Sequence, residues 1–345
     1  AWKTAIGLQD VDGLKPSEYL VQTARQNIEG DITIDEAKQL IDSYYKSVSN
    51  RHDVENDRTE EADKVSARIA EILSEQTFNF SPAQLTSIHR RLFEGIYKLA
   101  GRIRDYNITK NEWVLGGGTV YYASYDTISE TLEYDMRIER EFSYAGIPVD
   151  DAIHHLMRFC ANLWQIHAFC EGNTRTTAVF MIKYLKTLGF NVVNDMFARN
   201  SWYFRNALVR ANYSNLQKGI TETTVYLERF FRSMLLGEEY TLRNRELHIE
   251  WKGSAEADTC QSANETVQSA NSALYLLPKD HNCTLEEAAV LRVVQMKPTA
   301  TQKEIAAEIG KSERTVKSLT VALQEKGILK RTGSRRDGKW EIVKE

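Results

Sequence analysis

The residues best suited to catalysis are the nine from 167 to 175, which read His-Ala-Phe-Cys-Glu-Gly-Asn-Thr-Arg. His167 can act as a general base near neutral pH. Glu171 offers hard carboxylate oxygens to Mg²⁺, which usually reaches a protein through one or two carboxylates and the phosphates of its substrate. Arg175 can grip a phosphate with two N–H donors. The combination indicates transfer of a phosphate-containing group.

Two apolar helices must position these residues. Residues 151–166 and 176–188 both show the periodicity of buried helices. Gly172 allows the chain to turn, so that the amides of residues 173–175 point outward at the start of the second helix, where the helix dipole favours phosphate. Each residue also has an ordinary explanation. A His at a helix end is usually a polar terminus, and Glu-Gly-Asn is more often a turn than a metal site.

Taken together, the loop resembles the signature of the Fic family, which is His-Pro-Phe-x-(Asp/Glu)-Gly-Asn-(Gly/Lys)-Arg with a second Arg after two further residues. The matching positions are His167, Phe169, Glu171, Gly172, Asn173 and Arg175. The resemblance covers roughly residues 15–250. It implies a mainly α fold, with a Fic-type helical core and a short β-hairpin flap.

The resemblance implies a protein adenylyltransferase, which moves AMP from ATP to a Tyr, Thr or Ser hydroxyl of a target protein. By position, His167 would deprotonate the hydroxyl and Glu171 would hold Mg²⁺ on the phosphates. Asn173 would orient the α-phosphate and Arg175 would grip the phosphate chain. The remaining predicted nucleotide-binding residues are Gly172, Thr174, Asn200 and Tyr203. The last two lie on a later helix, where each is at least as often structural.

Three positions depart from the signature. Ala168 replaces Pro, and Thr174 replaces the second Gly or Lys. Ala178 stands where the family has the second Arg, which helps to hold the γ-phosphate. This last departure leaves a second hypothesis open, in which the same fold uses another nucleotide or a phosphocholine donor, or removes AMP.

The segment before the loop resembles the family's flap. Residues 112–115 and 119–122 are predicted to be the strands of a hairpin around three consecutive glycines. The predicted target-binding residues are Leu115, Gly116, Gly117, Gly118 and Thr119. A flap of this kind would hold the target segment by strand addition. The alternative is an ordinary surface hairpin.

Glu29 resembles the glutamate of the family's inhibitory helix, (Ser/Thr)-x-x-x-Glu-(Gly/Asn), although Arg25 occupies the Ser/Thr position. Because Ala178 has no charge to offer, we hypothesise that Glu29 pairs with Arg175 and inhibits the enzyme. The alternative is a solvated residue before the capping Gly30 of a helix that begins at Ser17.

The end of the chain has the pattern of a winged-helix domain. Helices are predicted over 285–295, over 301–310 and from Ser312, followed by two strands within 329–343. This region carries 13 Lys/Arg against 9 Asp/Glu. DNA binding and protein docking are equally supported, and the basic residues that would meet phosphates are Arg331, Arg335, Arg336 and Lys339.

The chain therefore divides into four predicted parts. Residues 1–50 are an N-terminal helical arm bearing Glu29, irregular over 1–16, and residues 51–250 are the Fic-like catalytic core. Residues 251–283 are a linker rich in Ser, Ala, Asn and Thr, and residues 284–345 are the winged helix. A third hypothesis, from a different class, is a DNA-binding regulator with a dormant Fic site.

Bulk composition fits a cytoplasmic enzyme. The 345 residues carry a net charge of −4, which gives no general attraction to nucleic acid or anionic membranes. The four cysteines form no CxxC pair, and no apolar run approaches the length of a membrane span. No signal peptide is predicted. The sequence names neither the target protein nor the oligomeric state, and it allows a homo-oligomer.

Overall fold

The computed structural model describes residues 1–48, 54–190, 195–251, 283–333 and 338–343. Within these ranges the protein is mainly helical, as the sequence predicts. The helices are α1 (Trp2–Gly7), α2 (Glu18–Glu29), α3 (Ile34–Val48), α4 (Val54–Ser74), α5 (Pro82–Phe93), α6 (Ile128–Glu141), α7 (Val149–Ile166), α8 (Asn173–Thr187), α9 (Asp195–Ala211), α10 (Val225–Leu236), α11 (Asn244–Leu247), α12 (Leu285–Met296), α13 (Gln302–Ile309) and α14 (Glu313–Glu325). The strands are β1 (Leu329–Thr332) and β2 (Lys339–Ile342). Short 3₁₀ turns occupy Leu8–Asp12, Trp113–Leu115 and Leu216–Lys218.

Helices α7 and α8 form the centre of the main core. Helix α8 is buried continuously from Asn173 to Leu185, including its polar side chains. Helix α7 buries one apolar face, which includes Leu156, Cys160 and Trp164. Helices α4, α5 and α9 surround this pair and contribute to the same apolar core. The two predicted buried helices are confirmed, and the loop between them is held from both sides by the core.

The prediction that residues 1–16 are irregular is wrong. Helix α1 buries Trp2 and Ala5 in the main core, because its apolar side chains outweigh the Gly and Pro signals that suggested a loop. Gly7 is required here by close packing, since a Cβ at this position would lie 2.3 Å from the Cα of Ala198 on α9. The Ser201 hydroxyl of α9 also donates to the Gly7 carbonyl at 2.6 Å. Helix α1 is therefore part of the core.

The helix after α1 begins and ends as predicted. The Ser17 hydroxyl accepts from the Leu20 amide and caps α2, and Gly30 ends that helix with a left-handed backbone. Thr33 and Glu36 form a reciprocal cap of α3, in which the Thr33 amide donates to the Glu36 carboxylate at 2.7 Å.

The predicted β-hairpin over residues 112–122 is wrong. No strand forms between residues 105 and 125, all of which the structure describes. Instead Glu112 closes a loop on itself, because its amide donates to the Gly118 carbonyl at 2.8 Å and its carbonyl accepts from the Gly117 amide at 3.0 Å. The Glu112 amide and carbonyl are therefore not available for regular pairing between two strands. The flap is a closed loop containing a 3₁₀ turn.

The C-terminal unit consists of three helices and a hairpin around its own apolar core. Strands β1 and β2 pair antiparallel, with Leu329 opposite Ile342. The predicted helix starts are confirmed by side-chain caps at Thr284, Thr301 and Ser312. The unit meets the main core where the Val149 amide donates to the Cys283 carbonyl at 2.9 Å. Most of the predicted linker, 252–282, and the predicted contacts Arg335 and Arg336 lie outside the described residues.

In the ranges that the structure describes, no helix is long and apolar enough to cross a membrane.

Candidate active site

His167 lies where α7 ends, in a backbone conformation that few residues other than glycine adopt. Its φ is 50° and its ψ is 56°, in the left-handed region. Such a conformation costs roughly 1–3 kcal/mol and persists only where the surroundings enforce it. Arg104 supplies part of that enforcement. Its Nε donates to the His167 carbonyl at 2.8 Å, and its amide donates to the Ala168 carbonyl at 3.0 Å.

The imidazole of His167 has one nitrogen engaged and one free of hydrogen-bond partners. Nδ1 lies 3.3 Å from the Trp164 carbonyl. Because a carbonyl can only accept, Nδ1 carries the proton and Nε2 presents its lone pair. Nε2 is buried and has no hydrogen-bond partner. A buried polar atom left without a partner is costly and is common where a function requires it.

The His167 ring is neutral in this environment. Burial lowers its pKa well below the usual range, and the positive charges of Lys110 and Arg104 act in the same direction. The bond to the Trp164 carbonyl opposes these effects and is outweighed. A neutral ring with its lone pair on Nε2 is the form that can accept a proton from a hydroxyl.

Phe169 is locked in place by the side chain of Asn173. The Asn173 Oδ1 accepts from the Phe169 amide at 3.0 Å, and its Nδ2 donates to the Phe169 carbonyl at 2.7 Å. Both ends of the Asn173 amide are therefore occupied within the loop. This side chain therefore holds the loop closed, and its contact with an α-phosphate stays a prediction.

His89 of α5 contacts the loop through both its ring face and its ring nitrogen. Its ring stacks on Phe169 at a centroid distance of 3.8 Å. Its Nδ1 accepts from the Gly101 amide at 2.8 Å, so Nε2 carries the proton and donates to the Glu171 carbonyl at 3.0 Å. Burial lowers the pKa of His89 to about 4. This residue carries no motif, and its role was not visible in the sequence.

The His89 contacts predict a loss of stability in mild acid. Unfolded histidine titrates near pH 6.5, so between that pH and about 4 the unfolded chain binds the extra proton and the folded chain does not. The free energy of unfolding should fall through this window, by about 3 kcal/mol from His89 alone. Urea unfolding of wild type and His89→Phe across the window measures this contribution. The stability difference between them should shrink as the pH falls, and a constant difference would contradict the assignment.

Gly172 and Thr174 begin α8 against aromatic side chains. Gly172 has a φ of 70°, and a Cβ at this position would lie 2.4 Å from the ring of Phe93. The Thr174 hydroxyl accepts from the indole nitrogen of Trp164 at 2.8 Å. The Thr174 side chain therefore points into the core, which explains how a residue larger than glycine is accommodated here. The first amides of α8 have no partner within the helix, as at any helix start.

Arg175 is bound within the protein rather than exposed to a phosphate. Its side chain is fully buried. Its Nε lies 2.8 Å from an Asp12 oxygen, and one terminal nitrogen donates to Glu61 at 2.6 Å and to the Tyr97 hydroxyl at 2.7 Å. The other terminal nitrogen donates to Gln9 at 3.0 Å. Burial alone would lower the Arg175 pKa, but these neighbours outweigh it and raise the value.

The predicted ion pair between Glu29 and Arg175 is wrong. Glu29 is exposed at the end of α2, whereas the carboxylates on Arg175 come from Asp12 and Glu61. Nothing in the sequence marked these two residues. Asp12 follows a helix that was predicted as a loop, and Glu61 is one of many acidic residues on α4.

The two predicted pocket residues of α9 lie in different settings. Asn200 stands at a kink in the helix, with a φ of −131°, and its Nδ2 is 4.0 Å from the Met196 sulfur. Tyr203 is buried among groups of α10 and α11, including Arg229 and Glu246, and burial raises its pKa. The nucleotide contacts of both residues stay predictions.

Glu171 is exposed. Among the described residues, no three His, Cys, Asp or Glu side chains gather as a metal site. A single exposed carboxylate suits a cation that arrives with substrate phosphates, which is how Mg²⁺ is usually bound. The donor set therefore fits Mg²⁺ only as part of a nucleotide complex.

Residues 79–185 match the model of the Fic/DOC family. This segment is a Fic/DOC domain. It contains α5, the flap loop, α6, α7 and most of α8, and so all of the loop from His167 to Arg175. The partners Gln9, Asp12 and Glu61 lie outside the Fic domain, in the N-terminal part of the chain.

The chain is also similar to a protein adenylyltransferase and to two solved structures that carry the Fic name. The protein adenylyltransferase VbhT of Bartonella schoenbuchensis is 24% identical over 218 residues, which are 61% of this chain and 42% of that protein. The chain thus matches less than half the length of that relative. The Fic domain of a Bartonella effector protein, a VirB substrate, is 20% identical, covering 51% of this chain and 82% of that one with a TM-score of 0.36. A Fic family protein of Desulfovibrio desulfuricans is 11% identical, covering 99% and 88% with a TM-score of 0.41.

Proposed function

We propose that the protein is an adenylyltransferase that moves AMP from ATP to a hydroxyl group of a target protein. The observation that carries this proposal is the buried Nε2 of His167, which has a free lone pair and no hydrogen-bond partner. The match of residues 79–185 to the Fic/DOC family and the distant similarity to VbhT support the same chemistry. The ordinary explanation of a polar helix end does not account for a ring held in a strained backbone and out of water.

The residues have distinct roles in this reaction. The Nε2 of His167 accepts the proton of the target hydroxyl, whose oxygen then bonds to the α-phosphorus. The bond from that phosphorus to the β-phosphate oxygen breaks, and pyrophosphate leaves. The amides at the start of α8, beside Gly172, stabilise phosphate charge. Glu171 would hold Mg²⁺ together with the phosphates, and the ion would neutralise part of their charge. Arg175 is assigned a structural role in place of the predicted phosphate contact.

Replacing His167 with alanine is expected to reduce AMP transfer by about 100- to 10,000-fold, the usual contribution of a general base. The assay is transfer of label from α-labelled ATP with Mg²⁺ to proteins of a cell lysate and to the enzyme itself. His154→Ala is the matched control, since His154 lies on α7 with an exposed side chain and should be dispensable. Equal transfer by wild type and His167→Ala would refute the proposal.

The donor is tested in the same assay. Ala178 is fully buried in α8 and offers no charge for a γ-phosphate. Labelled GTP, CTP, UTP and CDP-choline should therefore be compared with ATP. Transfer from one of these and not from ATP would favour the second hypothesis, in which the fold uses another donor.

We also propose that residues 284–345 are a winged-helix unit. The order of three helices and an antiparallel hairpin supports this assignment. Arg314 and Lys317 are exposed on α14, and Arg331 and Lys339 are exposed on the strands. The hypothesis that this unit contacts DNA or docks a protein stays a prediction.

A further inference from the structure

Hydrogen bonds alone fix the His167 ring poorly. Its one hydrogen bond, from Nδ1 to the Trp164 carbonyl, is long at 3.3 Å, and Nε2 has none. Two aromatic rings hold the imidazole instead. Tyr122 stacks on its face at a centroid distance of 4.1 Å with an angle of 30°, and Trp164 meets it edge-on at 5.2 Å. The orientation of Nε2 therefore depends on where these two rings lie.

Tyr122 is itself held by a buried ion pair. Its hydroxyl donates to a Glu112 oxygen at 3.3 Å, and the other Glu112 oxygen lies 2.7 Å from Arg205 of α9. The Glu112 side chain is fully buried. A buried carboxylate needs such a partner, because an unpaired charge in the interior is strongly unfavourable. The ion pair therefore ties Tyr122 to a helix outside the Fic domain.

The same glutamate also shapes the flap. Its main-chain groups close the loop from Glu112 to Gly118, while its side chain reaches Tyr122. One residue thus couples the flap loop to the ring that stacks on His167. Neither Glu112 nor Tyr122 was singled out for chemistry in the sequence.

We propose that Tyr122, fixed by Glu112 and Arg205, is a positioning residue that sets the plane and the tautomer of the His167 imidazole. The proposal rests on the proposed function in that His167 is the base, but its structural part stands without it. A stacked ring contacts the face of the imidazole, whereas the reacting lone pair lies at its edge. Tyr122 therefore orients the base without using the atom that reacts.

The first test is a spectroscopic one on the full-length protein labelled with ¹⁵N histidine. His167→Gln identifies the His167 signals by their loss. In wild type these signals should show the proton on Nδ1, whereas Tyr122→Leu should give a mixture of both tautomers. Tyr122→Phe should keep the wild-type tautomer, because it keeps the ring. An unchanged tautomer in Tyr122→Leu would overturn the proposal, whether or not the protein transfers AMP.

The second test is kinetic. Tyr122→Leu should lower kcat on the order of 10- to 100-fold, with the KM for ATP unchanged, since a misplaced base slows the chemical step without weakening nucleotide binding. Tyr122→Phe should restore most of this loss. Tyr121→Leu is the matched control, because the neighbouring Tyr121 is 82% exposed and has no ring contact with His167. Faster transfer by Tyr122→Leu would overturn the proposal, since it would make Tyr122 an obstruction.

A thermal melt of each variant shows whether that variant is folded. If Tyr122→Leu fails to fold, Tyr122→Phe and Glu112→Gln still decide the matter. Tyr122→Phe removes only the hydroxyl contact, whereas Glu112→Gln removes the charge that pairs with Arg205 and so loosens Tyr122. Tyr122→Phe should keep the Nδ1 tautomer and lower kcat by at most about tenfold, whereas Glu112→Gln should give a mixture of both tautomers. Loss of the Nδ1 tautomer in Tyr122→Phe, or an unchanged tautomer in folded Glu112→Gln, would overturn the proposal.

Discussion

Replacing Arg175 with alanine is expected to lower the free energy of unfolding by about 3–5 kcal/mol, the range seen when one partner of a buried ion pair is removed. The side chain is fully buried and is within hydrogen-bond or ion-pair distance of Asp12, Glu61 and Tyr97. The variant would leave Glu61, which is largely buried, without its counter-charge. It would also remove the cation that lies 4.8 Å above the ring of Phe93. Chemical denaturation of the purified protein measures the loss.

Arg243 provides the matched control. It pairs with the Glu246 carboxylate at 3.5 Å, but its own side chain is 52% exposed. Exposed ion pairs contribute little, so Arg243→Ala should cost about 1 kcal/mol or less. Equal losses for the two arginines would mean that the Arg175 cluster is not a buried ion network. A double-mutant cycle of Arg175→Ala with Glu61→Gln would then measure the coupling directly.

The same prediction changes how a loss of activity is interpreted. If Arg175 held phosphate, its replacement would weaken ATP binding in a folded protein. The structure instead ties α8 through Arg175 to the 3₁₀ turn at Leu8–Asp12 and to α4, so the first effect should be on folding. A loss of activity in Arg175→Ala should therefore be interpreted only together with the free energy of unfolding of the same variant.

The loop from His167 to Arg175 was predictable because its residues are consecutive. Six constrained positions in one segment identify a family, and the apolar periodicity on both sides predicts the two buried helices. The capped helices α2, α3 and α12 to α14 were predictable for a similar reason, since a cap depends on residues three apart. Local signals of this kind do not depend on the rest of the fold.

The partners of the loop were not predictable, because they come from distant parts of the chain. Gln9 lies 166 residues before Arg175, and Glu61 lies 114 residues before it. No spacing rule connects such positions, and the choice of Glu61 among the acidic residues of α4 depends on how the helices pack. The predicted ion pair of Glu29 with Arg175 was wrong for this reason, since a matching short pattern does not place a side chain.

The flap prediction failed for a different reason. Three glycines between two short apolar segments suit a hairpin turn, but the same freedom allows the chain to close on itself. The Glu112 amide reaches the Gly118 carbonyl, and the buried Glu112 side chain pairs with Arg205. The tertiary ion pair thereby fixes a loop where local propensity favoured strands.

Gly172→Ala is expected to cost about 2–5 kcal/mol, as the sum of two separate effects. The φ of 70° lies in the left-handed region, where a side chain adds roughly 1–2 kcal/mol of strain. The new Cβ would also lie 2.4 Å from the Phe93 ring, and overpacking of this kind costs about 1–3 kcal/mol. Phe93 cannot easily move away, because it is fully buried and stacks on Tyr97 at 4.6 Å beneath the Arg175 guanidinium.

Gly219→Ala separates the two effects. Gly219 has a φ of 64°, close to that of Gly172, but a Cβ there would have no atom within 4 Å. This variant should show the backbone strain alone, and the difference between the two alanine variants gives the cost of the clash. Adding Phe93→Leu to Gly172→Ala should recover part of that difference, so that the two substitutions together cost less than the sum of their separate effects. Equal losses at the two glycines, or strict additivity with Phe93→Leu, would show that α8 can shift away from Phe93. In that case Gly172 would be required only because its backbone is left-handed. The close packing of α8 against Phe93 of α5 would then not be what fixes the amides beside His167.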